Sequence, residues 1–181
     1  MIVTLSGVTG IGKSFFKNMI VEELGFKNMV INTTREIRTN EINGIDKVFL
    51  SDEQFNILKK QNKIAVDFEF LGNRYAYNTC DLQSLENQVT ELHYSTIYEF
   101  KKNAKDVLAI YILPNDLQRA KLELIRRKLP PEVQKARLNE IDEHIKKFNE
   151  DKNLQQQFDY IFINNYDEQS KKKLLNVIKK W

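Results

Sequence analysis

The segment Gly7-Val8-Thr9-Gly10-Ile11-Gly12-Lys13-Ser14 meets the phosphate-binding pattern GxxxxGKS at every fixed position, and that restricts the folds open to this chain. Such a loop works only when a buried strand delivers it and a helix N-terminus continues it. Both flanks are present. Ile2-Val3-Thr4-Leu5 is an apolar run of strand type, and Phe15 to Leu24 carries apolar residues at helical spacing before Gly25, a helix-ending residue. In this context the glycines turn backbone N–H groups toward phosphate oxygens, the Lys13 ammonium adds charge near a transferred phosphate, and the Ser14 hydroxyl suits magnesium. The segment Gly7 to Ser14 is therefore the candidate site for a nucleoside triphosphate, with Ser14 as candidate Mg2+ ligand.

Downstream patterning extends this unit into an α/β fold. Met29-Val30-Ile31-Asn32 reads as a second strand, Gln88 to Leu92 as a third, and Val107 to Leu113 as a strand buried on both faces. Tyr160 to Ile163 reads as the last strand, followed by a helix through Leu174, Leu175 and Ile178. Alternating strands and helices predict a P-loop NTPase type parallel sheet with helices on both faces. Between Thr33 and Tyr77 the rhythm changes: a polar section with an Asn43-Gly44 turn, strands around Val48–Leu50 and Ala65–Leu71, and a short helical pattern at Phe55, Ile57 and Leu58. That block, 33–77, is expected to be a small insertion in a core made of 1–32 and 78–181. Helices are expected over Asp116–Lys128 and Pro131–Phe148, broken by Leu129-Pro130-Pro131, because proline removes a donor and restricts the residue before it.

Composition excludes several alternatives. With 181 residues and 41% hydrophobic content the chain supports one sizeable core. No apolar run approaches the ~20 residues that cross a bilayer, and no signal-peptide pattern opens the chain, so a soluble cytoplasmic protein without membrane partners is expected. Cys80 is the single cysteine, and with only His93 and His144 it forms no zinc spacing. The net charge of +3 is too small to argue for nucleic acid. Lys171-Lys172-Lys173 reads as the solvated face of the last helix.

A second constellation lies in the insertion, where Arg35 and Arg38 stand beside Thr33 and Thr34. Guanidinium forks grip phosphate with two hydrogen bonds, so the segment suits a second anionic group. This stretch resembles the TTRxxRxxExxGxDYxFxS element of the guanylate kinases, with agreement at Thr33, Thr34, Arg35, Arg38, Glu41, Gly44, Asp46, Phe49 and Ser51. Gly72-Asn73-Arg74-Tyr75 resembles the family's GNYYG element. Arg126 to Leu138 resembles its lid pattern RGTxxEExIxxRL without a gap, and Phe158 to Asn165 its closing FDYVVVND. The agreement spans nearly the whole chain in order.

The resemblance implies a single guanylate-kinase-like domain with a helical lid over about 120–148, transferring the γ-phosphate of Mg2+-bound ATP to GMP or dGMP. Lys13, Arg126 and Arg137 are implied as catalytic cations, and Asn164 matches an asparagine near the donor adenine. Arg35, Arg38 and Tyr75 are implied to hold the acceptor, together with Glu41 and Lys47. Several positions depart from the family. Lys47 replaces a tyrosine and Ile31 a base-reading serine, while Arg74 and Ala76 stand for a tyrosine and a glycine around Tyr75. Strict spacing puts Val66 where a base-reading glutamate is usual, leaving Asp67 and Glu69 nearby as candidate readers. The DIDxQG element is absent, with Glu91 in its vicinity as a carboxylate for metal or base, or a plain turn acid. The expected partners are therefore nucleotides, with a monomer or homodimer equally open. The alternatives are a kinase for another nucleoside monophosphate, or a non-catalytic interaction module.

Overall fold

A computed structural model describes residues 1–39 and 41–181. In chain order the elements are β1 (Ile2–Ser6), α1 (Lys13–Leu24), β2 (Lys27–Asn28), β3 (Asn32–Thr33), β4 (Val48–Phe49), α2 (Asp52–Lys60), β5 (Ile64–Phe70), β6 (Asn73–Asn78), α3 (Thr79–Leu82), β7 (Gln88–Glu91), α4 (Ile97–Asn103), β8 (Val107–Pro114), α5 (Leu117–Ile125), α6 (Pro131–Glu150), α7 (Lys152–Gln155), β9 (Tyr160–Asn164) and α8 (Glu168–Lys180). A five-stranded sheet has the order β2-β7-β1-β8-β9 with every pairing parallel, and a second, four-stranded sheet has the order β4-β3-β6-β5.

The period of two in the parallel strands sorts their side chains into two cores. Val3, Leu5, Leu108, Ile110 and Ile112 face α1 and α8 through Phe16, Ile20, Leu174 and Ile178. Ile2, Ala109 and Tyr111 face the opposite way, against Ile97 and Phe100 of α4 and Phe148 of α6. Helices thus cover both faces of the parallel sheet, and the expected P-loop α/β architecture is the one observed.

The smaller sheet is set by local signals. Ser51 and Gln54 form a capping box that starts α2, with its side chain accepting from Gln54 N–H and the Gln54 side chain returning to Ser51 N–H. Leu71 and Gly72 both take positive φ, 49° and 71°, which turns β5 back into β6 as an antiparallel hairpin.

Two expectations need correction. Met29-Val30-Ile31 is not a strand of the core sheet. Pairing covers Lys27–Asn28 in the large sheet and Asn32–Thr33 in the small one, so the apolar run is the crossover between them. Met29 and Ile31 are buried there, and each keeps one backbone hydrogen bond to a flanking strand, Met29 N–H to the Val89 carbonyl and Val48 N–H to the Ile31 carbonyl, so burial and partial pairing produced the strand-like signal. The sequence reading also missed β6, whose polar opening Asn73-Arg74 obscured a strand with a buried centre, and the helices α3 and α4.

Candidate active site

The phosphate-binding loop joins β1 to α1, and two of its glycines are required by close backbone approach. At Gly7 (φ 140°) a Cβ would stand 2.5 Å from the Ile112 carbonyl oxygen, and at Gly10 (φ 85°) 2.2 Å from that of Ala120. Val8 and Ile11 are fully buried, so they anchor the loop and offer ligands only their backbone. No side chain caps the start of α1, which leaves its first-turn N–H groups available to an anion. Lys13 reaches back across the loop, its Nζ donating to the carbonyls of Gly7 (2.7 Å) and Val8 (2.8 Å). Burial lowers the Lys13 pKa, and the Glu91 and Glu140 carboxylates work against that shift.

Asn164 lines the same cavity but spends its amide on structure. Its Nδ2 donates to the Ile11 carbonyl (3.0 Å) and its Oδ1 accepts from Tyr166 N–H (2.8 Å). It is a brace for the loop. Ser14 Oγ donates to Glu91 Oε1 at 2.8 Å. Burial disfavours the Glu91 charge, but Lys13, Lys47, Lys17 and the Ser14 hydrogen bond outweigh it and hold the carboxyl below its usual range. A hydroxyl and an ionised carboxylate at one loop form a hard oxygen pair, which fits magnesium that keeps waters and phosphate oxygens as its other ligands.

Facing the loop across a cavity of about 800 Å³ are Arg35, Arg38, Glu41, Lys47 and Tyr75. Glu41 holds Arg35 by a two-pronged ion pair, Nη2 to Oε1 at 2.7 Å and to Oε2 at 2.8 Å, and also accepts from Arg38 N–H at 3.0 Å. It fixes the Arg35 side chain and the Arg38 backbone. Burial works against the Glu41 charge, yet these hydrogen bonds and both guanidinium charges keep its pKa lowered. A depressed carboxyl contributes stability above its unfolded pKa, about 4.3, and loses it as pH falls through the folded value. We expect Glu41→Gln to flatten the loss of stability between about pH 5 and pH 3, as urea unfolding along a pH series would show; an unchanged slope would remove Glu41 from that role.

The segment from α5 to α6 supplies the remaining cations. Arg137 on α6 lies over the Phe70 ring at 5.6 Å and points Nη1 toward Thr9 Oγ1 at 3.4 Å. Arg126 sits at the mouth, with an exposed side chain paired to Glu123 at 2.6 Å. Arg127 beside it also lines the cavity, and its charge acts on Lys13, Arg38 and Arg137.

The candidate base readers Asp67 and Glu69 do not belong to this cavity. Alternation along β5 aims Phe68 and Phe70 into it and leaves Asp67 and Glu69 exposed, with Asp67 Oδ2 bound to Lys59 Nζ at 2.7 Å. The wall holds residues that the sequence reading did not assign: Phe68, Phe70, His93, Tyr94, Glu140 and His144. Glu140 and His144 fall three and seven residues after Arg137, the spacing of one helix face, and that spacing was the available signal.

The family model for guanylate kinase matches residues 1–181. A guanylate kinase of Mycoplasma mobile is 28% identical over 191 residues, covering 99% of this chain and 92% of the relative. That of Rickettsia prowazekii is 28% identical over 184 residues, covering 98% and 90%. The match to the Lactobacillus johnsonii guanylate kinase, at 29% identity, takes in 70% of this chain and 65% of that protein. Among solved structures, guanylate kinase from Anaplasma phagocytophilum superposes with a TM-score of 0.70 at 24% identity, covering 99% of this chain and 84% of that one. With a family model matching its full length, and with the phosphate-loop residues, Arg35, Arg38, Arg126, Arg127 and Arg137 gathered around one cavity, the chain belongs to the guanylate kinase family of ATP-dependent nucleoside monophosphate kinases.

Proposed function

We propose that this cavity transfers the γ-phosphoryl group of ATP to GMP or dGMP, with the phosphate loop holding the donor and the insertion, 33–77, holding the acceptor. The observation that carries this reading is the cation set: Lys13, Arg35, Arg38, Arg127 and Arg137 all line one cavity and act on one another electrostatically. Such mutual repulsion is relieved by polyphosphate, and in-line transfer needs two anionic groups brought together in a site closed to water.

Each residue takes one task. Backbone donors of Gly7 to Ser14 cradle the donor phosphates, and Lys13 leaves its carbonyl partners to follow the migrating group. Arg35 and Arg38 clamp the acceptor phosphate, with Glu41 fixing the Arg35 fork and Lys47 adding charge. Arg137 and Arg126 close with the lid, about 120–148, onto the charge that spreads over the phosphoryl oxygens in the transition state. Ser14 and Glu91 would hold Mg2+, which neutralises and orients the donor phosphates. No covalent intermediate on the protein is needed. A cytoplasmic location fits these substrates. The interaction-module alternative gains no observation, since it needs neither a buried lysine in the loop nor inward-facing lid cations.

The test is ADP formation from MgATP across a panel of ribo- and deoxynucleoside monophosphates. Turnover should require a monophosphate and be greatest with GMP or dGMP; ATP binding without acceptor-dependent turnover would favour the module. Arg35→Ala and Arg38→Ala should weaken all accepted monophosphates alike, by about 1.5–3 kcal/mol each, with little change in the KM for ATP. A collapse of ATP binding with the acceptor unaffected would reverse the assignment of the two ends.

A further inference from the structure

Beside Tyr75, one wall of the cavity is made of stacked rings. Phe68 stacks on Tyr75 (centroids 5.1 Å) and on His93 (5.2 Å); His93 meets Tyr94 (4.6 Å), and Tyr94 meets His144 (3.8 Å). An aromatic wall of this kind holds a base by its faces and does not choose between bases. Choice needs a polar group aimed at the base edge. The carboxylates proposed for that task from sequence, Asp67 and Glu69, lie on the outer face of β5.

His144, which packs on Tyr94 in this wall, carries a polar atom without a partner. It is 4% exposed, it lines the cavity, and its Nε2 has no hydrogen-bond partner among the described residues. Its other nitrogen, Nδ1, lies 3.3 Å from Glu140 Oε1. Glu140 is kept ionised, because the His144 hydrogen bond and the charges of His144, Lys13 and Arg137 outweigh burial. An ionised carboxylate can only accept, so Nδ1 carries the proton. Burial lowers the His144 pKa against the pull of Glu140, so the ring is neutral at physiological pH and Nε2 presents a bare lone pair. A buried acceptor without a donor costs free energy until a ligand supplies one. The segment carrying it is fixed: Ile141 and Phe148, on either side of His144 in α6, are buried in the two cores.

We propose that His144 is a base-selecting residue: its Nε2 accepts a hydrogen bond from a ring N–H of the acceptor base, with Glu140 fixing the tautomer that allows it. The inference rests on the acceptor assignment made above and deepens it. Guanine carries such a donor at N1 and a second at its 2-amino group, whereas N1 of adenine is itself an acceptor and would face the Nε2 lone pair. The site therefore favours GMP over AMP without a carboxylate in contact with the base.

Calorimetric titration of GMP and AMP into wild type, His144→Phe and His144→Gln tests this. His144→Phe keeps the ring packing and removes the acceptor, so GMP affinity should fall about tenfold and AMP affinity less than threefold. His144→Gln, whose amide oxygen can accept, should recover most of the GMP preference. A second readout uses the wild-type protein with labelled histidine: the Nε2 resonance of His144 should be of the unprotonated type and should move on addition of GMP but not of AMP. An Nε2 that is protonated, or that GMP leaves unmoved, overturns the inference, as does a GMP-to-AMP ratio unchanged in His144→Phe. Those failures leave the kinase reading standing. A wild type that binds no monophosphate overturns both.

Discussion

Lys13→Met should lower kcat by about 10²- to 10³-fold, the range seen when one preorganised group that meets transition-state charge is removed, while the fold persists. The side chain is buried and its pKa is depressed, so at neutral pH its charge is a cost that the folded state carries and the unfolded state does not. That cost is fully present below the folded pKa and fades only as pH rises through it. Removing the charge relieves the cost, although the carbonyls of Gly7 and Val8 lose their partner. The melting temperature of Lys13→Met should therefore match or exceed that of the parent. Near-parental turnover, or a variant that melts well below the parent, would show that Lys13 serves the fold and not the transfer. A group that destabilises the molecule and has charged or polar partners only in the cavity is expected of a functional site.

The second large effect is structural and falls on Gly10→Ala. The new Cβ would lie 2.2 Å from the backbone oxygen of Ala120, at a φ of 85° that L side chains rarely adopt. Left-handed strain of about 1–2 kcal/mol adds to overpacking of about 1–3 kcal/mol. For a chain of this size the sum lowers the melting temperature by about 4–20 °C. Gly44→Ala is the control, since Gly44 has a similar φ of 82° and no atom within 4 Å of its added Cβ, and it should show the strain alone. Equal losses in the two variants would mean that the loop does not press on α5. The contact matters because α5 leads into the segment carrying Arg126 and Arg127, so the glycine loop and that segment share a backbone junction.

Much of this architecture was legible before the structure because its signals are local. The strand, loop and helix around Lys13 follow from glycine positions and apolar period, and the lid break follows from Pro130 and Pro131, where proline cannot sustain a helix. What sequence did not show depends on neighbours distant in the chain. Met29 to Ile31 is apolar because it crosses between sheets under cover, and apolarity cannot report which sheet a residue pairs in. Asp67 and Glu69 had the chemistry of base readers, but the pleat turns them outward, and only the register with β6 decides which residues of β5 face in. Glu41 was grouped with the ligand-binding residues, whereas its carboxylate is committed to Arg35. Glu91, weighed as either a metal ligand or a turn acid, meets Ser14 across 77 residues of sequence.

The central claim is that one cavity joins a donor and an acceptor nucleotide for direct phosphoryl transfer. ATP carrying a radioactive γ-phosphate, incubated with the protein, magnesium and GMP, tests it most directly. The label should appear in GDP, at a rate that depends on GMP and falls about 10²- to 10³-fold in Lys13→Met. Label released as inorganic phosphate at the same rate with and without GMP would contradict the account.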